Sequence, residues 1–240
     1  MVDFEGANLK DAYLKKANLV GVDLRKANLK ESYFKGVNFR EANLEGANLE
    51  GANLRKANLK WTNLREANIK WTDLTEAILI EANLQGADLM KANLFGANLF
   101  GANLFGANLQ GADLQGANFA KANLKRAFLR FNNLAKVNLE GANLEGAYLF
   151  GANLFGANLK GCDLRGANLE EANLEEANLK EALNLSIDQL SKVRTLYNVK
   201  LDEKFLIKLK EEFPFHFKSL EQQFLEYQSN LLGANVDNNL

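Results

Sequence analysis

The chain has 240 residues, 47% of them apolar, and a formal net charge of −1, so it can bury a large core but has no global field that would attract or imitate nucleic acid. One Cys and one His exclude an internal disulfide and a Cys/His zinc cluster. We see no basic-then-apolar leader and no run of about 18 uncharged apolar residues, so we expect a cytoplasmic protein without a membrane span.

A five-residue period runs without a slip from Phe4 to Leu179, giving 36 units. The centre of each unit is Leu, Phe or Ile; a small residue stands two places before it and usually Asn or Asp one place before it, as in Ala7-Asn8-Leu9. Seventeen of the 18 Gly stand two places after a centre, where a tight turn can require positive φ. Because neither the helix nor the strand period fits, the pattern predicts short extended pieces joined by turns into a solenoid.

The unit Ala-Asn/Asp-Leu-x-x resembles that of the pentapeptide-repeat family, including bacterial and cyanobacterial members, over about three quarters of the chain. The resemblance implies an all-β solenoid, namely a right-handed quadrilateral β-helix in which four units make one square coil. Residues twenty apart would then stack on the same face. The 36 units would give about nine coils.

The register ends at Asn184, where a central Leu would be due, and helix signals follow. A capping box at residues 186–189 predicts a helix that reaches about Tyr197. Asp202 is placed to cap a second helix, which stops before Pro214. The sequence therefore predicts a change from β-helix to α-helix here.

A third capping box at Ser219 predicts one more helix. We therefore expect a β-helix at 2–182, an α-helical C-terminal cap at 183–232 that covers the last coil, and a polar tail at 233–240. The excess of aromatic residues in the cap favours a homodimer that shares it, while the open N-terminal coil offers a second route. The candidate dimer or cap contacts are Leu220, Phe224, Leu225, Leu231 and Leu232.

Side chains that the repeat leaves free indicate where a partner would bind. From Thr75 to Ala120 every residue directly after a centre is uncharged, and an exposed apolar belt is typical of an interface. Duplication of Leu-Phe-Gly-Ala-Asn units would spread Phe equally well, so both readings stay open. The candidate surface comprises Ile80, Met90, Phe95, Phe100 and Phe105, with a second cluster at Phe128, Arg130, Phe131, Tyr148 and Phe150.

Two further features of the repeat predict local contacts. Asn132 is the only larger polar residue at an inward position, and it predicts a local distortion. Trp71 at a corner is expected to stack with Lys91 one coil later.

A basic strip lies on one face near the N-terminus, and its residues are Tyr13, Lys15, Lys16, Tyr33, Lys35, Arg55 and Lys56. Stacked aromatic rings beside basic residues can bind an anionic partner. A tyrosine ladder kept soluble by lysines is the alternative, and we do not expect nucleic acid to bind.

No catalytic, cofactor or metal site is expected. Cys162 takes a buried small-residue position, and His216 lies in the predicted cap. Carboxylate pairs occur at 170–171 and 175–176, but on a convex surface without a pocket. The sequence therefore favours a protein that is not an enzyme.

The function predicted from the sequence is a non-enzymatic structural or protein-interaction module that presents a rigid columnar surface to an unknown protein partner. The resemblance implies an alternative, because some family members bind DNA gyrase by imitating duplex DNA in size and negative charge. Stacked lysines in the N-terminal half and the lack of interrupting loops argue against that alternative.

Overall fold

The computed structural model describes residues 2–218 and Gln222. The predicted third helix and the candidate cap contacts lie outside the described residues: Leu220, Phe224, Leu225, Leu231 and Leu232.

The backbone winds as a four-sided coil because a turn follows every centre. The residue before each centre forms a parallel bridge with the residue twenty places later, as between Asn8 and Asn28. Twenty residues are four units, so one coil has four walls. We call them walls A, B, C and D, which contain the centres Phe4, Leu9, Leu14 and Leu19 and every twentieth residue after each. In the described residues each bridge is isolated, so a wall contributes one bridging residue per coil rather than a longer strand.

A repeated set of backbone hydrogen bonds joins each coil to the next. On wall A the N–H of Leu24 donates to the carbonyl of Asn43 at 2.7 Å, and the N–H of Asn43 donates to Val22 at 2.9 Å. The N–H of Lys26 then donates to Glu45 at 2.9 Å. Adjacent coils are therefore held in register on each wall.

The second residue after each centre forms the corner between two walls. Glycines at this position have φ between 61° and 68°, and side-chain-bearing residues adopt the same left-handed conformation, as at Lys16 (58°) and Trp61 (60°). Only glycine reaches this region without steric cost. The predicted confinement of glycine to corners is confirmed.

The core is a column of centres and small residues that face inward. Every centre from Leu24 to Leu179 is at most 1% exposed, and each buried Leu contributes about 1.5–3 kcal/mol of transfer free energy. Small polar residues are accepted inside because each donates to the carbonyl of a centre in the preceding coil at 2.7–2.8 Å. These donors are Ser32, Thr62, Thr72 and Cys162.

The ladder between coils is interrupted in one place between residues 3 and 163, on wall C. The bonds that the pattern places from the N–H groups of Gly111, Leu114, Gly116 and Asn133 are absent, as is the bridge between Asp113 and Asn133. We call this the ladder gap.

Asn132 accounts for the ladder gap. Its side-chain nitrogen donates to the carbonyls of Leu109 (2.8 Å) and Ala112 (3.2 Å), and it thus occupies the acceptor that the next residue's N–H would use. Its carbonyl oxygen Oδ1 is buried without a hydrogen-bond partner. The predicted distortion at Asn132 is confirmed.

Helix α1 (Ile187–Ser191) begins at the predicted capping box, with reciprocal bonds between Ser186 and Gln189. The prediction that it reaches Tyr197 is wrong, because the chain returns to the ladder: Thr195 bridges Asn173, and Lys200 bridges Asn178. The side-chain amide of Gln189 donates to the carbonyls of Leu164 (2.8 Å) and Ala167 (2.9 Å). Gln189 of α1 therefore supplies a donor to the Ala167 carbonyl, which on other coils receives a backbone N–H from the next coil.

Helix α2 (Glu203–Glu212) follows, and a 3₁₀ helix spans Pro214–Phe217. Asp202 precedes α2 as predicted, but its side chain accepts from the N–H of Glu181 (3.2 Å) and makes no capping bond. Three leucines of this region are fully buried: Leu190, Leu196 and Leu209. They extend the apolar core past the last repeat.

Candidate interaction surfaces

The apolar belt encircles the column rather than forming one flat patch. Phe95 lies on wall C with 47% of its surface exposed. Phe100 lies on wall D, where the ammonium of Lys121 is 5.5 Å from its ring centre, and Phe105 lies on wall A. The remaining members are half-buried: Ile80, Met90, Phe100 and Phe105. A flat partner could therefore contact only part of this belt at once.

A second aromatic cluster lies on wall B and at the corner between walls B and C. The rings of Phe128 and Tyr148 are stacked, with centroids 4.8 Å apart and planes 5° apart. Phe131 meets Phe150 edge to face at 5.4 Å. The guanidinium carbon of Arg130 lies 5.3 Å from the centre of the Phe150 ring and 5.9 Å from that of Phe131. The structure thus brings together all five residues of the predicted cluster.

Phe131 is the most exposed aromatic residue of this cluster, at 69%. Its ring covers Gly151, where an added Cβ would lie 2.5 Å from two ring carbons. Glycine is therefore required beneath this ring for steric as well as backbone reasons. The sequence marks Gly151 only as another corner, so this contact escapes prediction.

A surface cleft of about 390 Å³ opens at the ladder gap. Its lining comprises Gly111, Ala112, Asp113, Gln115, Phe131, Asn132 and Asn133. The cleft exists because Asn132 keeps the two coils from pairing on wall C.

The basic strip begins with a tyrosine stack on wall C. The rings of Tyr13 and Tyr33 are 4.9 Å apart and only 3° from parallel. Tyr13 is 70% exposed. The two rings form the predicted tyrosine ladder.

The lysines and arginines of the strip differ in their partners. Arg55 pairs with Asp73 at 3.4 Å, and Lys56 pairs with Glu76 at 3.2 Å. Three members have no ion-pair partner among residues 2–218: Lys15, Lys16 and Lys35. Positive charge without a partner is therefore confined to the N-terminal end of the strip.

Wall A neutralises its charges between adjacent coils. Arg25 pairs with Glu5 at 2.9 Å, and Lys125 pairs with Glu145 at 2.9 Å. Arg25 also donates to Asp23 at 2.7 Å, and this hydrogen bond lowers the pKa of that carboxyl. Such exposed pairs fix register and add little stability.

An apolar cup opens at the N-terminal end of the core. Its volume is about 230 Å³, and its wall is made by the first centres, with Phe4 40% exposed. The lining residues are Phe4, Leu9, Leu14, Leu19, Leu24 and Phe34. This cup is the open N-terminal coil that the sequence predicts as one route to a homodimer.

Cation–π contacts occupy both tryptophan corners. The ammonium of Lys91 lies 4.3 Å from the centre of the Trp71 ring, which confirms the predicted pair. Trp61 is contacted by Lys60 at 4.0 Å and donates its indole N–H to Glu81 at 3.1 Å.

Cys162 and His216, the residues for which no catalytic role is expected, lie in the core and in the 3₁₀ helix respectively. Burial raises the pKa of the Cys162 thiol to about 12, so it is protonated at neutral pH. His216 lies half-buried in the 3₁₀ helix.

Within residues 2–218, His, Cys, Asp and Glu side chains form no group of three suited to a metal ion. Over the same residues, no helix combines the length and apolarity needed to cross a membrane.

A family model described as pentapeptide repeats matches the chain repeatedly. The matched segments are 3–40, 32–70, 67–96, 97–130, 112–151, 133–166 and 147–183. These segments coincide with the part of the chain that forms the ladder. No curated protein sequence matches the chain.

Solved structures give the same result. HetL, a pentapeptide repeat protein from Nostoc sp. strain PCC 7120 involved in regulating heterocyst differentiation, is 38% identical, with 76% of this chain and 86% of HetL covered and a TM-score of 0.48. QnrB1, a plasmid-mediated fluoroquinolone resistance protein, is 23% identical over 84% of this chain and 92% of its own, with a TM-score of 0.53. Rfr23 from Cyanothece 51142 is 39% identical over 46% of this chain and 85% of its own, with a TM-score of 0.37. The four-sided solenoid is accordingly a right-handed quadrilateral β-helix.

Proposed function

Because this chain belongs to the pentapeptide-repeat family, we propose that it is a non-enzymatic module that binds protein through a rigid columnar surface. The observation that carries the proposal is Phe95, an aromatic residue left 47% exposed on a wall that backbone hydrogen bonds hold fixed. A large apolar side chain presented on a rigid support loses little conformational freedom on binding. The belt around Phe95 is therefore the first candidate contact surface.

The aromatic cluster of wall B is the second candidate contact surface. Phe131 and Tyr148 are exposed, and Arg130 lies against the rings of both Phe131 and Phe150. Aromatic residues and arginine are the types that most often dominate binding energy at protein interfaces.

The proposed architecture has about nine coils within residues 2–182, a helical cap at 183–232 that contains α1 and α2, and a polar tail at 233–240. Bridges at intervals of twenty residues support the coil count. The buried leucines 190, 196 and 209 support a capping role, because they extend the core beyond the last repeat.

Three narrower predictions accompany this proposal. One is a homodimer that forms through the cap or through the open N-terminal coil. The apolar cup supports the second of these two routes. A location in the cytoplasm stays a prediction. Nucleic acid is not proposed as a partner, because Arg55 and Lys56 are paired with acidic residues.

The test replaces Phe95 and Phe100 together by Glu. We expect an unchanged far-ultraviolet circular dichroism spectrum and melting temperature, with loss of the proteins captured from extract of the cells that make this chain. Val20→Glu is the matched control, because Val20 holds the same repeat position on wall D and is 41% exposed, but lies outside the belt. If the double variant keeps both its native mass and every captured protein, the belt has no binding role.

A further inference from the structure

Wall C distributes its charge differently from wall A. Wall A alternates opposite charges between coils, as in the pair of Glu5 with Arg25 at 2.9 Å, and on wall B Lys30 is likewise paired, with Glu50 at 2.9 Å. On wall C the residues directly after the centres begin with Lys15 and Lys35 and end with Glu175. Charge on this wall is thus separated between the two ends of the column.

The charges at both ends of wall C lack partners within the chain. Lys15 and Lys16 form no ion pair within 4.0 Å among residues 2–218, and the same holds for Glu175 and Glu176. Lys16 and Glu176 occupy the corner that borders wall C, next to Lys15 and Glu175 respectively. Each end therefore presents two adjacent charges of one sign.

Phe95 lies at the middle of this pattern. The column from Lys15 to Glu175 has nine positions, and Phe95 is the fifth, four coils or about 19 Å from either end. It is 47% exposed and has no charged neighbour in its own column, where Thr75 and Gln115 flank it. This column thus has an uncharged middle, with Phe95 as its exposed apolar side chain, between a basic end and an acidic end.

We propose that two copies of the chain pack wall C against wall C in antiparallel orientation, about a twofold axis that passes beside Phe95. This proposal rests on the proposed function and deepens it by naming one partner as a second copy. The twofold axis brings Lys15 opposite the partner's Glu175 and Lys16 opposite the partner's Glu176. Phe95 meets its own counterpart, as residues on the axis of an isologous interface must.

The alternative parallel pairing of the same walls is disfavoured by charge. A twofold axis along the column would place Lys15 against the partner's Lys15 and Glu175 against the partner's Glu175. Like charges held face to face oppose association and select against the wrong register. The separated charges therefore specify orientation, while Phe95 supplies apolar contact at the middle of the wall.

The wall is large enough for a stable dimer. Nine coils at about 4.8 Å give a length of roughly 40 Å, and a five-residue unit spans at most about 16 Å. One wall then offers on the order of 650 Å² per copy, or about 1,300 Å² in total, at the low end of the range for specific protein interfaces.

The experiment uses two charge-reversal variants of the full chain: Lys15→Glu with Lys16→Glu, and Glu175→Lys with Glu176→Lys. Sedimentation equilibrium should show a dimer for the parent chain and at least tenfold weaker self-association for each variant alone. An equimolar mixture should recover a one-to-one heterodimer, because every end then faces an opposite charge. Circular dichroism checks that both variants keep the fold.

A matched control reverses Arg126 and Lys180 to Glu, which changes the net charge in the same direction and by the same amount as the lysine variant. Both are exposed and lie off wall C, and neither has an ion-pair partner among residues 2–218. This control should dimerise like the parent chain. A uniform loss in all variants would show a general charge effect and overturn the proposal.

Other outcomes also decide the matter. A parent chain that is monomeric at every concentration overturns the dimer, while the Phe95 and Phe100 test on captured proteins still judges the proposed function separately. If the variants stay dimeric, the dimer contact lies at the cap or at the N-terminal cup, and the proposal that wall C forms the interface is overturned. Binding of an anionic polymer that the lysine variant loses, with no heterodimer in the mixture, overturns self-association in favour of an anionic ligand.

Discussion

The side-chain nitrogen of Asn132 lies 3.2 Å from the carbonyl oxygen of Ala112, and in the other coils this acceptor receives a backbone N–H instead. The substitution of a side-chain donor for a backbone donor opens the ladder gap on wall C. It also leaves the Asn132 Oδ1 buried without a partner.

Asn132→Ala should therefore stabilise the protein. Alanine is the usual residue at this inward position, and removing an unsatisfied buried carbonyl while restoring the backbone bonds is worth about 1–3 kcal/mol. Thermal and urea unfolding followed by circular dichroism measures the change. Amide exchange at Asn133 and Leu114 should slow as their bonds form.

Asn132→Thr is the matched control, since a threonine hydroxyl can donate to Leu109 as Thr62 donates to Phe39. It should close the gap with a smaller gain. A loss of stability in the alanine variant would contradict this account of the gap.

Gly151→Ala should destabilise the protein more than Gly161→Ala. Both glycines have positive φ (65° and 67°), which costs alanine about 1–2 kcal/mol. Only at Gly151 does the new methyl group meet the Phe131 ring, whereas nothing lies within 4 Å at Gly161. Chemical unfolding measures both variants. The excess should disappear in a Phe131→Ala background, and an equal excess there would mean that the ring is not its cause.

The Cys162 thiol should make stability fall in alkaline solution. Burial raises its pKa from 9.0 to about 12 in the folded chain, so the unfolded chain loses this proton first as pH rises. The contribution is fully present below about pH 9 and is lost as pH rises towards 12, by at most about 1.4 kcal/mol per pH unit.

Unfolding free energies of the parent chain and of Cys162→Ala, measured at about pH 8 and about pH 11, isolate this effect. The parent chain should lose more stability than the variant between the two conditions. The folded thiol should also resist iodoacetamide at pH 8, and rapid alkylation would refute its burial.

DNA gyrase should be unaffected by this protein. The N-terminal end of wall C carries three lysines without ion-pair partners in the described residues, namely Lys15, Lys16 and Lys35, and duplex DNA presents only negative charge along its length. A supercoiling assay with micromolar protein measures the effect. Inhibition or protection of gyrase would restore the DNA-imitating alternative.

The period of five predicts which residues share a wall, and hence most of the contacts along the column. The stacks of Tyr13 on Tyr33 and of Phe128 on Tyr148 follow from a spacing of twenty, because the backbone fixes where each side chain starts. The contact of Lys91 with Trp71 follows in the same way. Because the ladder is rigid, the spacing in the sequence predicts which side chains are in contact.

Contacts that depend on side-chain conformation or on the end of the repeat could not be predicted. Arg55 reaches Asp73, which is eighteen residues away rather than twenty, because a long side chain can bend across its wall. Helix α1 ends at Ser191 because Thr195 bridges Asn173 at the edge of the last coil. Helix propensity depends on local sequence, so it does not predict pairing with this edge.

The spacing of twenty between bridged residues has a consequence for how such a chain can change length. Gain or loss of twenty residues within the repeat would lengthen or shorten the column and keep every later side chain on its wall. Gain or loss of a single unit would instead move every later side chain to the neighbouring wall. Lys15 and Glu175 would then lie on different walls of the column. The number of repeat units therefore sets both the length of the column and the direction in which the side chains beyond any insertion or deletion face.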